Sequence, residues 1–511
     1  MKTPPTLIVL LALLAPAPYA FAAGDNASPR VISIRECVET ALRGNVDIAV
    51  SRAEREIAAF GVPIEESAFL PKFTGDLGVS RSISPSGSVL DESLSLDQRD
   101  FKLHLGIQDL LPAGTALSLA FENQRQATGS SVALLSPQYI TALTLSARQP
   151  LLKNRGRQVT EAPLAVARAG EAAKTGEWRE KVMDVVAAAR SAFLSFSAAH
   201  SEAEVRRTAL ALAEKLSAEI RARIDAGFAA PMDRLPGDAA VASRREELIR
   251  AEAQEQNAQD NLKVVLGVRS PREWEERLLP SGLPGDIEPP GERDTYEEAL
   301  RLRPEVSSLA ARRQQAEIQE AAARNRTLPP LDLTVSAGLS GLAGSPNPNP
   351  LFPVSSTAFA GNYRDSIDQM FSGRYYNWFV GLKSELPWRF DREKAEWARA
   401  RAALEEQRLL AEGLDLRIRA EVRKGRRDLE SALERIAASR ASAAASAKKL
   451  EAEEKKLALG ASTAVEVLRF QQDLSEALLA EIRAQADAHL AQTRLRRAVG
   501  TLLDKEGIVI R

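Results

Sequence analysis

The sequence predicts a mainly α-helical protein with a smaller β region in each of two duplicated units. Three observations support this fold class: one pattern occurs twice along the chain, long segments have an alanine-rich helical composition, and short segments alternate between apolar and polar residues. Each copy has the order opening helix, strands, long helix, returning helix. The predicted class is therefore mainly α with strands that could contribute to a β-barrel.

The duplication is visible when the chain is aligned with itself in two registers. The first register places Ala41-Leu42-Arg43 on Ala299-Leu300-Arg301 and Leu70-Pro71 on Leu328-Pro329. The second register differs from the first by about 25 residues. It places four further residues on their counterparts: Ala165 on Ala398, Gly227 on Gly460, Asp233 on Glu466, and Gly267 on Gly500. The length difference accumulates between Pro71 and Ala165, so the first copy carries an insertion there.

These registers predict how the chain is divided. Residues 1–23 have the features of a secretory signal peptide, with Lys2 before an apolar stretch and Ala20-Phe21-Ala22 as a cleavage site. The remaining divisions are a first repeat over 24–267, a linker over 268–293, a second repeat over 294–504 and a C-terminal tail over 505–511.

Composition and motifs argue against an enzyme. The 68 basic and 69 acidic side chains are interleaved, which gives no electrostatic footprint for nucleic acid. A single cysteine, Cys37, excludes an internal disulfide framework, and we expect it to be a small apolar residue in a helix. The three histidines lie in separate elements without metal-ligand spacing, and no phosphate loop, dinucleotide fingerprint or nucleophile motif occurs. We therefore expect no catalytic, cofactor-binding or metal-binding residues.

The long helices predict rods. About 68 residues from Glu161 to Phe228 have helical composition, which corresponds to roughly 100 Å of helix. The returning helix reaches Gly267 after about 37 residues, so it covers roughly half of that length. The second copy repeats this arithmetic. We expect the missing half of the first return to come from the second copy's opening helix, 296–328, and that of the second return from the N-terminal helix, 33–69.

The strand segments have an alternation with a period of two residues. Leu103, Leu105 and Ile107, for example, alternate with His104 and Gly106. This pattern suits a transmembrane β-barrel, and it equally suits an ordinary half-buried sheet. Between these segments, residues 82–100, 126–138 and 340–373 have the composition of loops. The insertion contains a possible additional hairpin around Pro112-Ala113-Gly114, which could widen a barrel or decorate its end.

An aromatic cluster marks the point where the last of these loops meets its strand. It consists of Phe371, Tyr375, Tyr376 and Trp378. Tyrosine and tryptophan are enriched where a barrel crosses the membrane interface, although strands in general also favour aromatic residues. The cluster is thus consistent with a membrane girdle or with an ordinary strand. Apart from the signal peptide, we expect no segment that approaches the composition of a membrane-spanning helix.

Several short motifs resemble the TolC family of outer-membrane efflux proteins over essentially the whole mature sequence. They are Ala41-Leu42-Arg43-Gly44-Asn45-Val46-Asp47, Arg303-Pro304-Glu305-Val306, the two Leu-Pro pairs before strands, Gln149-Pro150-Leu151-Leu152, and the paired turns 227–233 and 460–468. Singly each motif is weak. Their duplication in the same order makes the resemblance specific.

The resemblance implies a homotrimer in the outer membrane with a periplasmic extension. Each protomer would give four strands to a shared twelve-stranded barrel and two coiled-coil helical hairpins to a periplasmic α-barrel. Independently, four strands are too few to close a barrel, so the edges would require assembly between chains. The implied partners are outer-membrane lipid, a periplasmic adaptor (membrane fusion protein), and an inner-membrane pump or ABC transporter.

The resemblance also implies functional residues at the hairpin tips. Asp233 and Glu466 match the acidic ring that forms the family's periplasmic gate, whereas the family's second acidic position is Arg469 here. Both acids could instead be favourable charges at helix starts. The implied adaptor-contact residues are Gly227, Phe228, Ala229 and Ala230 in the first copy and Gly460, Ala461, Ser462 and Thr463 in the second.

Two functions remain open from the sequence. The first is an exit duct of a tripartite efflux pump or type I secretion system that passes small molecules or polypeptides. The second is an exported periplasmic coiled-coil scaffold without a pore, whose alternating segments form a soluble sheet. The four methionines and single cysteine give no soft-metal pathway of the kind copper needs, and the sequence does not otherwise identify a substrate.

Overall fold

The structure is a computed structural model. It describes residues 29–86, 95–227, 230–285, 287–291, 295–348, 350–351, 358–386 and 388–508. The predicted signal peptide and the tip residues Phe228 and Ala229 lie outside this part of the chain, as do short parts of the predicted linker, loops and tail.

The first copy contains the following elements in chain order. It opens with β1 (Arg30–Ile32), α1 (Ile34–Gly44) and α2 (Val46–Glu66), followed by a short 3₁₀ turn. Four strands follow: β2 (Lys72–Pro85), β3 (Ser95–Leu110), β4 (Ala116–Thr128) and β5 (Leu135–Pro150). The helical part comprises α3 (Arg157–Thr160), the rod α4 (Ala162–Asp225) and the return α5 (Arg234–Leu266). The connection to the second copy contains α6 (Pro271–Glu275) and β6 (Leu278–Pro280).

The second copy repeats this order with fewer strands. Its opening helices are α7 (Tyr296–Leu302) and α8 (Pro304–Arg326). Strand β7 (Asp332–Pro346), helix α9 (Tyr363–Phe371) and strand β8 (Tyr376–Lys383) follow, so the segment expected to be a loop over 340–373 contains a helix. The rod is α10 (Asp391–Ala458), the return is α11 (Ala464–Val499), and α12 (Leu502–Lys505) closes the chain.

The two rods are single continuous helices. α4 has 64 residues and α10 has 68, which corresponds to about 95–100 Å each. Pro163 is tolerated in α4 because it stands in the first turn, where its missing N–H has no intrahelical partner to lose. Within the described residues, α4 is long and apolar enough to cross a membrane, contrary to the expectation from sequence. Because 61% of its apolar window is buried, we interpret α4 as a packed rod instead.

The helices form two levels that share the rods. In the level near the strands, neighbouring helices follow the order α2, α4, α8, α10. In the level near the hairpin tips, the order is α5, α4, α11, α10. Small residues allow close approach: a Cβ on Gly176 of α4 would lie 2.8 Å from the Cβ of Ser308 in α8. The apolar core runs along these contacts, with Phe193 and Phe196 of α4 fully buried.

Each returning helix is continued by the opening helix of its own copy, so the expected exchange between copies is wrong. At the end of α5, a Cβ on Gly267 would lie 2.3 Å from the carbonyl oxygen of Gly44, and the Asn45 side chain donates to the Val265 carbonyl at 2.8 Å. At the end of α11, Gly500 meets Leu302 in the same way. Helix lengths fit either arrangement equally well, and the contacts between the helix ends distinguish them.

Six strands form one antiparallel sheet in the order β2-β3-β4-β5-β7-β8. Each strand pairs with its neighbour along most of its length, apart from an irregularity between Leu135 and Gln138. The two strands expected around residues 112–114 are β3 and β4, and they lie inside this sheet. A separate two-stranded parallel sheet, β1-β6, lies near the junction of the two helix levels, where Ile32 and Leu278 are buried.

Candidate functional site

The six-stranded sheet has one apolar face. The register places one row of side chains across all six strands: Phe73, Ile107, Leu119, Leu145, Ala337 and Trp378. Many side chains on this face are exposed to a large extent, for example 80% for Phe73 and 72% for Trp378. Tyr376 and Trp378, from the predicted aromatic girdle, both belong to this face. A monomeric soluble protein rarely exposes a contiguous apolar surface that extends across six strands.

The opposite face is polar or lined by small residues. The adjacent row consists of Thr74, Gly106, Ala120, Thr144, Gly338 and Asn377. Toward the end of the sheet away from the rods, Asp100 accepts hydrogen bonds from Gln98 at 2.8 Å and Gln124 at 3.1 Å. The sheet thus separates an apolar surface from a hydrophilic one, as the wall of a water-filled barrel does.

Helix α9 covers part of the apolar face at the end away from the rods. The hydroxyls of Thr141 and Ser366 lie 2.9 Å apart, and Met370 is fully buried against the sheet. The rings of Tyr139 and Tyr363 meet edge to face, with centroids 6.0 Å apart. The close approach requires glycine at position 341, because a Cβ there would lie 1.9 Å from the Ser366 carbonyl oxygen.

The first hairpin tip is held by its own polar contacts. After α4, Gly227 adopts a φ of +82°, and Asp233 accepts the Ala230 backbone N–H at 2.9 Å. The predicted gate residue Asp233 is exposed. Through its bond to the Ala230 N–H, it closes the turn that precedes α5. This contact is compatible with the helix-start alternative, and the role of Asp233 as a gate stays a prediction.

An ionic cluster that the sequence did not reveal joins the two helices of this tip. The Asp238 carboxylate lies 2.6 Å from Arg221 of α4 and 2.6 Å from Arg234 of its own helix. These two hydrogen bonds lower the pKa of Asp238 to about 2. The spacing of Arg234 and Asp238 was visible in the sequence, whereas Arg221 is brought close only by the hairpin. Asp238 is therefore a structural anion rather than a free acid.

The second tip has a similar turn with different contacts. Gly460 has a φ of +76°, and the Thr463 hydroxyl caps α11 by accepting the Glu466 N–H at 3.4 Å. The Glu466 carboxylate is about half exposed and lies 4.0 Å from Arg469. The next two residues, Val467 and Leu468, are buried in a cluster with α4, so Glu466 lies at the border of the interface between the hairpins.

Asp233 and Glu466 thus occupy the starts of corresponding helices, each within its own hairpin. No described contact joins them in one chain, and their role as a gate remains a prediction. The same holds for the described tip residues Gly227, Ala230, Gly460, Ala461, Ser462 and Thr463 as an adaptor contact. A side chain has space at both tip glycines, because no atom lies within 4 Å of a Cβ built on Gly227 or Gly460.

A second group of charges, also not anticipated from sequence, lies where the helix levels meet. Arg303 is 4% exposed and forms ion pairs with Glu305 at 2.8 Å and Glu421 at 2.6 Å. Arg497 of α11 adds pairs to Glu305 and Asp184. These pairs tie the opening helix of the second copy to both rods. The Arg-Pro-Glu motif recognised in the sequence therefore has a structural role at this junction.

The histidines have ordinary surroundings. The His489 ring donates its Nε2–H to the Pro284 carbonyl at 2.9 Å, and burial lowers the pKa of this ring. Because a carbonyl oxygen accepts, this ring nitrogen carries the proton. His200 lies 2.8 Å from Glu255. Within the described part of the chain, no group of His, Cys, Asp or Glu side chains has the arrangement of a metal site.

Comparison with known sequences finds a matching family. Residues 295–501 match the sequence family described as outer membrane efflux protein. The match covers the second copy and less than half of the chain. Comparison with curated proteins gives no match. The predicted resemblance to this family and the predicted fold class are therefore confirmed.

Solved structures of outer-membrane channels have the same fold. The CmeC outer membrane channel of Campylobacter jejuni is 14% identical with a TM-score of 0.66, covering 92% of this chain and 86% of that one. VceC of Vibrio cholerae is 15% identical with a TM-score of 0.64, covering 91% and 96%. The open state of the MtrE outer membrane channel of Neisseria gonorrhoeae is 17% identical with a TM-score of 0.63, covering 92% and 89%. At these identities the likeness concerns the fold.

Proposed function

We propose that this protein is the exit duct of a periplasm-spanning efflux complex. The observation that carries the proposal is the row of exposed apolar side chains that continues across all six strands, with a hydrophilic row behind it. Lipid on one side and water on the other satisfy both faces at once. The family match and the structural likeness to outer membrane channels support the same function.

The alternative of a pore-free periplasmic scaffold fits these surfaces poorly. In water, the apolar face would remain exposed on every strand, from Phe73 at one edge to Trp378 at the other. Exposed apolar area costs about 25 cal/mol per Å², which makes such a surface unfavourable without lipid or a partner. The scaffold also gives no role to the polar opposite face.

The working unit in this proposal is a homotrimer. The two edge strands of the sheet have no partner within the described chain, and unpaired backbone groups in lipid cost several kcal/mol each. Rotational assembly of identical chains satisfies these edges by closing a ring. The rods then project about 100 Å into the periplasm, where the tips are placed to meet an adaptor and an inner-membrane pump.

The membrane assignment is tested by extraction and assembly. We expect the protein to require detergent for release from the outer membrane, to migrate differently before and after heating, and to sediment in detergent at about three times the monomer mass. In planar bilayers the trimer should conduct ions. Recovery as a soluble protein in periplasmic extract would refute the proposal.

The adaptor contact is tested at the tip glycines. We expect Gly227→Trp and Gly460→Trp to abolish export while trimer yield stays normal, since a side chain there has space but would obstruct a partner. Gly156→Trp is a matched control: its φ is +92°, no atom lies within 4 Å of its Cβ, and it stands at the barrel end of the first rod. Loss of export in all three variants would indicate backbone strain rather than a lost contact.

The gate is tested with substitutions that keep shape and remove charge. In a trimer, Asp233 and Glu466 would place six carboxylates around the narrow end of the tunnel, which favours cations. We expect the double variant Asp233→Asn, Glu466→Gln to lower cation selectivity and to weaken block by hexamminecobalt from the periplasmic side. The control variant is Asp260→Asn, Glu412→Gln, which removes the charge of two exposed helical acids. If cation selectivity and hexamminecobalt block are unchanged in the tip variant, both acids only stabilise the starts of their helices.

The kind of cargo is tested through the partners. An efflux pump predicts that deletion of the gene raises sensitivity to small toxic molecules, whereas a type I secretion system predicts loss of a secreted polypeptide. We expect the first result, because the matching family is described as efflux proteins.

A further inference from the structure

The first copy contributes four strands to the six-stranded sheet, and the second copy contributes two. In the second copy, β7 follows the opening helix and β8 precedes the rod; in the first copy, β2 and β5 have these positions. Strands β3 and β4 have no counterpart among the described residues of the second copy. They pair with each other and with both neighbours over most of their length. The inserted strands therefore lie side by side with the other strands of the sheet and do not decorate its end.

The additional strands carry the same division of faces as the others. On β3, Phe101, Leu105 and Ile107 are exposed on the apolar face, and on β4 Leu119 continues the same row. The intervening residues belong to the polar face, where His104 lies 3.7 Å from Glu122. A hairpin folded away from the membrane would not need an apolar side that matches its neighbours residue by residue.

The edges of the sheet are suited to pair with each other in a ring. The six strands alternate in direction, so the edge strands β2 and β8 run in opposite senses. All 14 residues of β2 are exposed, and no described strand pairs with its outer edge. Repeating the chain around an axis therefore brings β8 of one copy antiparallel to β2 of the next, with no edge left open.

We propose that the trimer closes an eighteen-stranded barrel through β2–β8 pairing between neighbouring copies, with an exit wide enough for bulky cargo. This inference rests on the proposed trimeric channel and specifies its dimensions. Strands spaced about 4.8 Å apart and tilted by about 40° give a barrel diameter of roughly 36 Å for eighteen strands and 24 Å for twelve. At equal tilt, the cross-sectional area is about 2.3 times larger.

The helical layer independently fits the larger barrel. Four helices per chain, α2, α4, α8 and α10, lie side by side next to the strands, so three chains supply twelve. At about 8–10 Å between axes, twelve helices have a circumference of roughly 95–120 Å. Eighteen strands at the spacing and tilt above span about 113 Å. The two layers therefore match without a change in diameter between them.

The inner surface also favours a wide passage. On the polar face, the row formed by Thr74, Gly106, Ala120, Thr144, Gly338 and Asn377 consists mainly of small side chains. Barrels of sixteen to eighteen strands keep an aqueous channel because side chains cannot fill them. The barrel would thus not limit the size of the cargo, and selection would take place at the periplasmic end.

Cross-linking between chains tests the pairing of the edges. Burial raises the pKa of the native Cys37 thiol to about 12, so it should not react with a maleimide. In the variant Asp76→Cys, Asn377→Cys, one thiol lies on β2 and the other on β8, both on the polar face. A short bismaleimide should yield linked dimers and trimers in denaturing gels.

The control for this experiment is Glu122→Cys, Asn377→Cys. Glu122 lies in the same row as Asp76 but on β4, which is paired on both sides. No linked species are expected if the barrel has eighteen strands. Linked species in this variant, or none in the β2–β8 variant although trimers are present, would overturn the inference. Absence of trimers and of ion conductance would instead refute the proposed channel itself.

Deletion of the additional hairpin tests the width. Removing residues 95–128 leaves β2 and β5 joined by the flanking loops and antiparallel to each other, so four strands per chain remain. We expect trimers to form, and the largest neutral polymer that enters from the extracellular side to be smaller, in line with an approximately twofold loss of cross-section. Trimers with an unchanged polymer limit would overturn the inference. If the deletion prevents folding, the cross-linking result decides.

Discussion

The junction between the first return and its own opening helix gives a quantitative test of the fold. Gly267 ends α5 with a φ of +74°, and a Cβ there would lie 2.3 Å from the Gly44 carbonyl oxygen and 2.9 Å from the Asn45 nitrogen. Both neighbours are backbone atoms, which cannot rotate away. Gly267→Ala should therefore combine backbone strain with a steric clash.

The magnitude follows from two contributions. A non-glycine residue in the left-handed region costs about 1–3 kcal/mol. Displacing packed backbone costs about 1–3 kcal/mol more. Gly460→Ala is the matched control, since its φ is +76° and no atom lies within 4 Å of its Cβ. We expect Gly267→Ala to lose about 2–6 kcal/mol and Gly460→Ala to lose only the strain.

A third variant separates the clash from the strain. The φ of Gly44 is not in the left-handed region, yet its Cβ would lie 2.7 Å from the Leu266 carbonyl oxygen. Gly44→Ala should therefore destabilise by the clash. Improved helix propensity offsets less than about 1 kcal/mol of this loss, because Gly44 is the last residue of α1.

The assay is guanidinium unfolding of the detergent-solubilised protein, followed by the helical circular dichroism signal at one fixed protein concentration. The comparison rests on differences between variants in the same assembly. If Gly267→Ala destabilises no more than Gly460→Ala, the α5 end does not abut Gly44, and the continuation of each return by its own opening helix is wrong.

Two further predictions concern charges away from the membrane. The buried Arg190 forms an ion pair with the partly buried Glu506, and burial lowers the pKa of the Arg190 guanidinium. Glu506→Gln should cost at most about 3–5 kcal/mol in free energy of unfolding. The double variant with Arg190→Met should cost less, as a double-mutant cycle would measure. At the first tip, Arg221 and Arg234 lower the folded-state pKa of Asp238 to about 2, below the usual value of about 3.9, so this contribution to stability is present above about pH 4 and is lost as the pH falls toward 2. Hydrogen exchange of the tip, corrected for intrinsic rates, should show this acid loss in the native protein and not in Asp238→Asn.

The sequence by itself determined the features that depend on local pattern. Two copies of one motif order predicted two copies of one unit, and the change of period from 3.6 to 2 located the strands, because side-chain direction follows backbone geometry. The rods were predictable for the same reason, and the structure gives them as helices of 64 and 68 residues. The resemblance to outer membrane efflux proteins was identifiable because short motifs recur in the same order. One of them, the Arg303-Pro304-Glu305 segment, proves to be an ionic junction.

The tertiary structure decided what depends on contacts between distant segments. Helix lengths could not tell which opening helix continues which return, and this was settled by the approach of Gly267 to Gly44, residues 223 positions apart (267 minus 44). Likewise, the sequence contained the additional hairpin but not its place, since alternation looks the same in a barrel wall and in a separate sheet. Its place is fixed by hydrogen-bonded register with β2 and β5, and backbone pairing between strands leaves no local trace in the sequence of either strand.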